Sequence, residues 1–395
     1  MTGTARTTLA RVFGPGVAYL SRRSPNLHGW SPPAAGHVDF QTGLQLPVAG
    51  PMPYLVCAGA ATPAALALYA EAGLPVVADL FRYRSVSEYF AMVAHLIGTG
   101  YRLAPQRIHP VEEIPDRASL VSAELLGRLN DKGRMAEVVP REFLPHRTLF
   151  PRSELPAGSA LVRPGHRVVL KASSILPSGG GHGVWIASTP EDVERARLAL
   201  GPEEQMVVEE FLPVDRSACV HAAVYPDGSS EVFGVAEEVC QAGRWYGNWL
   251  DQAGDQVPKQ VLEIVGKIVV AASELGYRGI VGVDVALCRD GRVLVLDLNF
   301  RVCGSTAAAW LRPWLEATRG ITTIRVAGWT GPAGFDATCR VVRAAVKRGS
   351  LIPLSLYDPE ACEMGGVPRL GGLVVGGSRA EVEEEVRRLA AAGLG

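Results

Sequence analysis

The sequence predicts a multi-lobed protein of mixed α/β and α+β class, on three observations. A strand, helix, strand order across residues 54–78 calls for a parallel α/β lobe, because parallel strands need a crossover between them. From about residue 130 the apolar pattern becomes mixed, and pairs of alternating strands are joined by turn residues, which is the α+β pattern. At 395 residues the chain exceeds one ordinary core, so two or three domains of about 100 to 200 residues are expected.

Residues 1 to about 52 hold Pro15, Pro25, Pro32, Pro33, Pro47 and Pro51 among many glycines and read as a loop-rich lead-in without its own core. Tyr54–Cys57 is a buried strand. Thr62 then caps a helix with Pro63 at its first position, running over 64–71 and stopped by Gly73, and Val76–Ala78 is the next strand. The linking run Ala58-Gly-Ala-Ala-Thr62 lacks Gly-x-Gly-x-x-Gly, which disfavours a nicotinamide enzyme. Helices are expected near 86–97 and 117–129, and the composition changes at Asn130-Asp131-Lys132-Gly133. Strands follow at 167–173 and 205–212, with a pair at 218–225 and 230–238 across Pro226-Asp227-Gly228. Helices are expected at 190–200 and 258–275, and the chain ends in a solvated helix with Glu383/Arg387 and Glu384/Arg388 at i,i+4. The expected division is 1–125 for the lead-in and α/β domain, 126–311 for a two-lobed α+β domain, and 312–395 for a C-terminal α/β extension.

Hydrophobic residues at 48%, charged residues at 20% and a formal charge of -1 give no general attraction to nucleic acid or acidic membranes. No apolar run approaches the roughly 20 residues of a membrane span, so a cytoplasmic location is expected. The seven cysteines are scattered and show no Cys-x-x-Cys spacing, which argues against a disulfide framework or a zinc site.

The chemistry is densest near residues 281–301. Val281, Val283 and Val285 alternate with Gly282, Asp284 and Ala286, while Leu294, Leu296, Leu298 and Phe300 alternate with Val295, Asp297, Asn299 and Arg301. With Asp290-Gly291 as a two-residue hairpin loop, Asp284 and Asp297 fall directly opposite on one face, their β-carbons about 4.5 to 5.5 Å apart. Carboxylates so close repel unless a proton or cation holds them together, and Mg²⁺ takes such oxygen ligands, with Asn299 as a third. Arg301, on the same face, would meet an anionic substrate group or a developing negative charge. The bland alternative is a surface hairpin with solvated aspartates.

Upstream, a strand ending in Lys171 leads to Ser178-Gly179-Gly180-Gly181-His182-Gly183, a loop whose N–H groups can fold over phosphates while the lysine reaches them. No Walker A motif is present. Val207-Val-Glu209-Glu210-Phe211-Leu212 is an apolar strand ending in acids, whose backbone suits an adenine edge.

In this order and spacing the chain resembles the ATP-grasp superfamily over about 115–310. The matching residues are Asn130-Asp-Lys132, Lys171 and the glycine loop, Glu209–Leu212, Asp284, and Asp297-Leu-Asn299-Phe-Arg301. The family more often has Glu where Asp297 stands. The resemblance implies an ATP-grasp fold with an N-terminal α/β (pre-ATP-grasp) lobe and a small C-terminal lobe. It implies that Lys132 and Lys171 contact ATP phosphates under the Ser178–Gly183 loop, that Glu209–Leu212 hold adenine, and that Asp284, Asp297 and Asn299 hold Mg²⁺. A ribose contact falls near Asp215–Ser217, with no choice between Asp215 and Ser217. The implied reaction is ATP-dependent carboxylate-amine ligation through an acyl phosphate, with Arg301 stabilising the oxyanion, a small-molecule carboxylate and an amine or peptide as substrates, and no nucleic-acid or membrane partner. The layout is similar to the peptide ligases of the pheganomycin type, in specialised metabolism. A D-alanine or dipeptide ligase, and an ATP-binding module without turnover, remain alternatives. His221 is either a nucleotide-facing or a core residue, Cys303 shows no histidine base nearby, and a homodimer is left open.

Overall fold

The computed structural model describes residues 7–27, 34–175, 182–201, 204–241, 244–332 and 334–395. Ser178, Gly179, Gly180 and Gly181, expected over the phosphates, lie outside them. Three sheets organise the described residues. The first holds β1 (Val17–Leu20), β2 (Pro53–Cys57), β3 (Asp79–Tyr83) and β4 (Arg102–Pro105) in the order β3-β2-β1-β4, all parallel. The second holds β5 (Arg147–Pro151), β6 (Val168–Ser173), β7 (Val184–Ala187) and β8 (Gln205–Glu210) in the antiparallel order β5-β8-β6-β7. The third holds β9 (Val214–Val224), β10 (Ser230–Gln241), β11 (Arg244–Leu250), β12 (Gly279–Cys288), β13 (Val293–Asn299), β14 (Thr323–Thr330), β15 (Leu351–Tyr357) and β16 (Arg369–Gly376). Its order is β13-β12-β9-β10-β11-β14-β16-β15, antiparallel throughout, so residues 312–395 add three strands to its far edge.

Three local expectations change. The lead-in is not structureless: β1 is a fully buried four-residue apolar run between β2 and β4, and its neighbouring glycines and prolines hide it in the sequence. The strand expected at Val76–Ala78 starts instead at Asp79, because β2 pairs Pro53 with Asp79 and Tyr54 with Leu80, leaving Val77 exposed. The helix expected from 117 opens at Ala123, where the Ser122 hydroxyl accepts the Leu125 N–H at 3.2 Å. The Thr62 cap and Pro63 start hold, over Pro63–Glu71.

The third sheet is aimed by its core. Val281, Val283 and Val285 of β12 and Val220, Ala222 and Val224 of β9 are buried in the cluster that holds Val261, Ile264, Val265 and Ile268 of the helix Lys259–Glu274. Because strand side chains alternate, this burial turns Cys219, His221, Gly282 and Asp284 to the opposite face. Apolar packing thereby fixes which face of the sheet carries the chemistry.

Candidate active site

Asp284 stands opposite Asp297 in the β12–β13 register, but the turn beyond them differs from the sequence reading. The loop has three residues, Arg289, Asp290 and Gly291: the Cys288 N–H donates to the Arg292 carbonyl at 2.9 Å and the Gly291 N–H to the Cys288 carbonyl at 3.0 Å. Gly291 has φ +84°, the left-handed conformation such loops place at a glycine. Val285 therefore pairs with Val295, one residue off the two-residue register, and Leu296 is the extra residue of a bulge that restores the facing aspartates. The bulge has a further effect. The Leu296 carbonyl accepts the Lys171 ammonium at 2.7 Å, tying the second sheet to the hairpin.

The run 130–133 works as a clasp. Asn130 Oδ1 accepts the Phe300 N–H at 3.0 Å, Asp131 Oδ1 accepts the Ser173 hydroxyl at 2.7 Å, and the Lys132 ammonium lies 2.6 Å from Asp297 Oδ2. At Gly133 an added β-carbon would sit 2.2 Å from Ser173 Oγ, so glycine gives β6 its approach. Lys171, inside an apolar strand, is paired with the buried Glu209 at 2.7 Å, and Arg147 reaches the other Glu209 oxygen at 3.4 Å. Glu209 thus serves the lysine with its side chain.

Glu210 links the same strand to the hairpin, accepting from Arg292 at 2.8 Å and from the His146 N–H at 2.9 Å. Phe211 and Leu212 leave β8, and the Arg167 guanidinium lies 3.7 Å over the Phe211 ring. Ser217 shares the Asp284 face of the sheet, at a register position opposite Ala286. Asp215 lies farther along β9, exposed, with Arg289 at 3.9 Å.

Asn299 bridges two groups: its Nδ2 donates to Asp284 Oδ2 at 2.9 Å, while its Oδ1 accepts from Arg301. Burial, then the facing Asp297, push the Asp284 carboxyl up to about 6. Burial also opposes the Asp297 charge, but Lys132, with Lys171 and Arg301 beyond it, outweighs it and holds that carboxyl below the usual range. A third carboxyl, not singled out in the sequence, belongs to Glu238 of β10: burial and the Asp284 charge raise it well above the ordinary carboxylate range. Alternation from the Pro226-Asp227-Gly228 turn would set it on the apolar face with Ala222 and Val224; the register shift between Val232 and Gly234 turns it to the site face. Three carboxyl groups with two pushed upward form an oxygen donor set that fits a divalent cation.

Asp284 gives a pH prediction. Its folded value exceeds the unfolded value of about 3.9, so its contribution to stability is full below about 4 and is lost as pH rises through about 6. Asp297 acts oppositely, its contribution being lost as pH falls below about 4. Without divalent cations, urea midpoints compared at about pH 4.5 and about pH 7 are expected to fall more for the wild type than for Asp284→Asn. An equal fall in both proteins would remove Asp284 as the source.

A second group unnoticed in the sequence is Arg107, which lines a pocket with Asn130, Lys132, Asn299 and Arg301. Burial, then the Arg301 and Arg23 charges, lower its pKa well below the usual arginine value. Nothing in the local sequence marks it, because it faces Arg301 only through the fold. His221, buried and lowered by desolvation to about 4, lies against Ser305 and Phe233. Cys303 does have a histidine nearby, contrary to expectation: Cys219, His221 and Cys303 have ligating atoms within 4.8 Å of one another.

A cationic pocket beside a facing carboxylate pair, with Lys132 from the clasp and Lys171 from the second sheet, marks the class. The chain belongs to the ATP-grasp superfamily. Within it, residues 8–127 match the N-terminal domain, and residues 145–299 the ATP-grasp domain, of the L-aspartate–L-methionine ligase family. The N5-carboxyaminoimidazole synthetase of Staphylococcus aureus, solved with ADP, is similar in fold at a TM-score of 0.59 and 10% identity, over 98% of this chain and 100% of that one. The carboxyaminoimidazole ribonucleotide synthase of Aspergillus clavatus, solved with ATP, gives 0.56 and 15%, over 86% and 97%. A formate-dependent phosphoribosylglycinamide formyltransferase of Ignicoccus hospitalis is 29% identical over 167 residues, 39% of this chain and 40% of that protein, so the chain spans less than half of the curated relative it matches. Among the described residues no helix is long and apolar enough to cross a membrane.

Proposed function

We propose that the protein is an ATP-dependent ligase that activates the carboxylate of an amino acid as an acyl phosphate and joins it to the amine of a second amino acid or peptide. The observation that carries this reading is the pocket in which Arg107 and Arg301 converge beside Lys132 and Asn299, next to Asp284 and Asp297. Two guanidinium groups suit a substrate with two carboxylates, in keeping with the aspartate named for the matching family. Asp284, Asp297 and Asn299 would hold Mg²⁺, which when bound neutralises and orients phosphate oxygens.

The chain's own groups supply the rest. Lys132 and Lys171 present positive charge to the ATP phosphates, and Arg301 holds the substrate carboxylate for attack on the γ-phosphorus, with ADP leaving. The amine nitrogen then attacks the acyl carbon, Arg301 stabilises the oxyanion, and phosphate departs as the nitrogen loses its proton. Such transfer needs positioning and charge neutralisation, not a protein nucleophile. A dipeptide product of specialised metabolism is the narrower form of the reading.

The test is ADP release across pairs of amino acids, beginning with L-aspartate and L-methionine. Release that requires both partners supports the ligase, and saturable ATP binding without release for any pair would sink it. In the same assay Arg107→Ala is expected to raise the KM for the acid substrate on the order of tenfold or more, with a smaller change in kcat. An unchanged KM would remove Arg107 from the acid pocket.

A further inference from the structure

Three side chains to which the ligase reading gives no task stand together on the site face of the third sheet. Cys219 and His221 alternate on β9, and Cys303 follows β13, its N–H donating to Thr306 Oγ1 at 2.9 Å. Their sulfur, nitrogen and sulfur atoms lie within 4.8 Å of one another, with Cys219 and His221 buried and Cys303 partly open. Scattered spacing in the sequence gave no sign of this, because strand pairing alone assembles the group. A second observation is independent of the first. At Gly282, between the thiols, an added β-carbon would sit 2.3 Å from Cys303 Sγ and 3.1 Å from Cys219 Sγ, although the backbone there is not in the left-handed region. The space between the two sulfurs therefore depends on glycine.

We propose that Cys219, His221 and Cys303 form a binding site for a thiophilic divalent cation of the zinc class. Two thiolates and an imidazole are a donor set that such cations take with an open fourth position, and that Mg²⁺ does not. His221 Nε2 lies 2.8 Å from Ser305 Oγ, while among the described residues Nδ1 meets Thr306 Oγ1 at 3.4 Å. The shorter contact orients the ring and leaves Nδ1 as the ligating atom. Each cation bound displaces the two thiol protons. Asp284, the β12 partner of Cys219 in register, stands beside that sulfur, outside the three-residue group. That carboxylate also belongs to the Mg²⁺ pair, so a zinc-class cation competes with Mg²⁺ and inhibits ligation; this last step rests on the ligase reading, whereas the site itself does not.

The test titrates Co²⁺ into the full reduced chain without ATP. One equivalent is expected to give thiolate-to-metal charge-transfer absorption, and Cys219→Ser and Cys303→Ser are each expected to weaken binding at least about tenfold. No such absorption in the wild type, or equal affinity in both folded variants, would overturn the proposal. Should a variant fail to fold, alkylation of the wild type decides: one equivalent of Zn²⁺ is expected to shield Cys303 at least about tenfold while the exposed Cys240 reacts unchanged. Equal Cys303 labelling with and without Zn²⁺ would also overturn it. A thiolate band without ADP release for any substrate pair contradicts the ligase and leaves the metal site standing; release without the band does the reverse.

Discussion

Replacing Asp297 by asparagine is expected to lower Mg²⁺-dependent ADP release roughly a hundred- to a thousandfold while lowering the urea midpoint less than alanine at the same position would. Asparagine keeps an oxygen for the Lys132 ammonium, now 2.6 Å from Asp297 Oδ2, but withdraws the negative charge that the facing pair offers to a cation. Alanine is the poorer test. It would leave Lys132, whose side chain is only 7% exposed, without even that oxygen, and stranding one partner of a buried pair costs about 3 to 5 kcal/mol. Loss of activity in alanine would then mix chemistry with unfolding. ADP release near the wild-type rate in Asp297→Asn would show that the pair does not hold the catalytic cation.

The facing aspartates were legible in the sequence, and the route to them was not. Alternation of Val281, Val283 and Val285 fixed the face, and Asp-Gly fixed a turn, yet the loop holds three residues and Leu296 bulges. A loop longer by one and a bulge of one cancel. No local signal distinguishes that pair of shifts from neither, because the turn chemistry of Asp290-Gly291 suits both loops. The bulge is visible only once Lys171, arriving from another sheet, takes the Leu296 carbonyl.

Partners across sheets set the general limit. Lys171 in an apolar strand announced that it needed a partner, but Glu209 as that partner came from the β6–β8 pairing, in which Val169 faces Glu209. Arg107, Glu238 and the Cys219, His221, Cys303 group each lack a motif, since each gains meaning from an element far away in sequence. The parallel lobe was read from Thr62-Pro63 and its flanking strand, while β1 was lost because four buried residues among prolines and glycines carry no period.

Lys171→Met should produce the largest loss of stability of any single change at the site. The ammonium holds Glu209 at 2.7 Å and the Leu296 carbonyl at 2.7 Å, with side-chain exposures of 8% for the lysine and 2% for the glutamate. Methionine fills the volume and leaves Glu209, among the described residues, with Arg147 at 3.4 Å, so a loss of about 3 to 5 kcal/mol in unfolding free energy is expected. Adding Glu209→Gln removes the stranded charge and should restore more than half of that loss, because the penalty lies in the unpaired carboxylate and not in the missing attraction. Affinity for ATP should not return with it, since the phosphates lose a lysine in both variants. Urea unfolding separates the two effects from calorimetric ATP binding: stability and affinity recovering together in the double variant would mean that Lys171 acts on nucleotide only by holding Glu209 and the bulge in place.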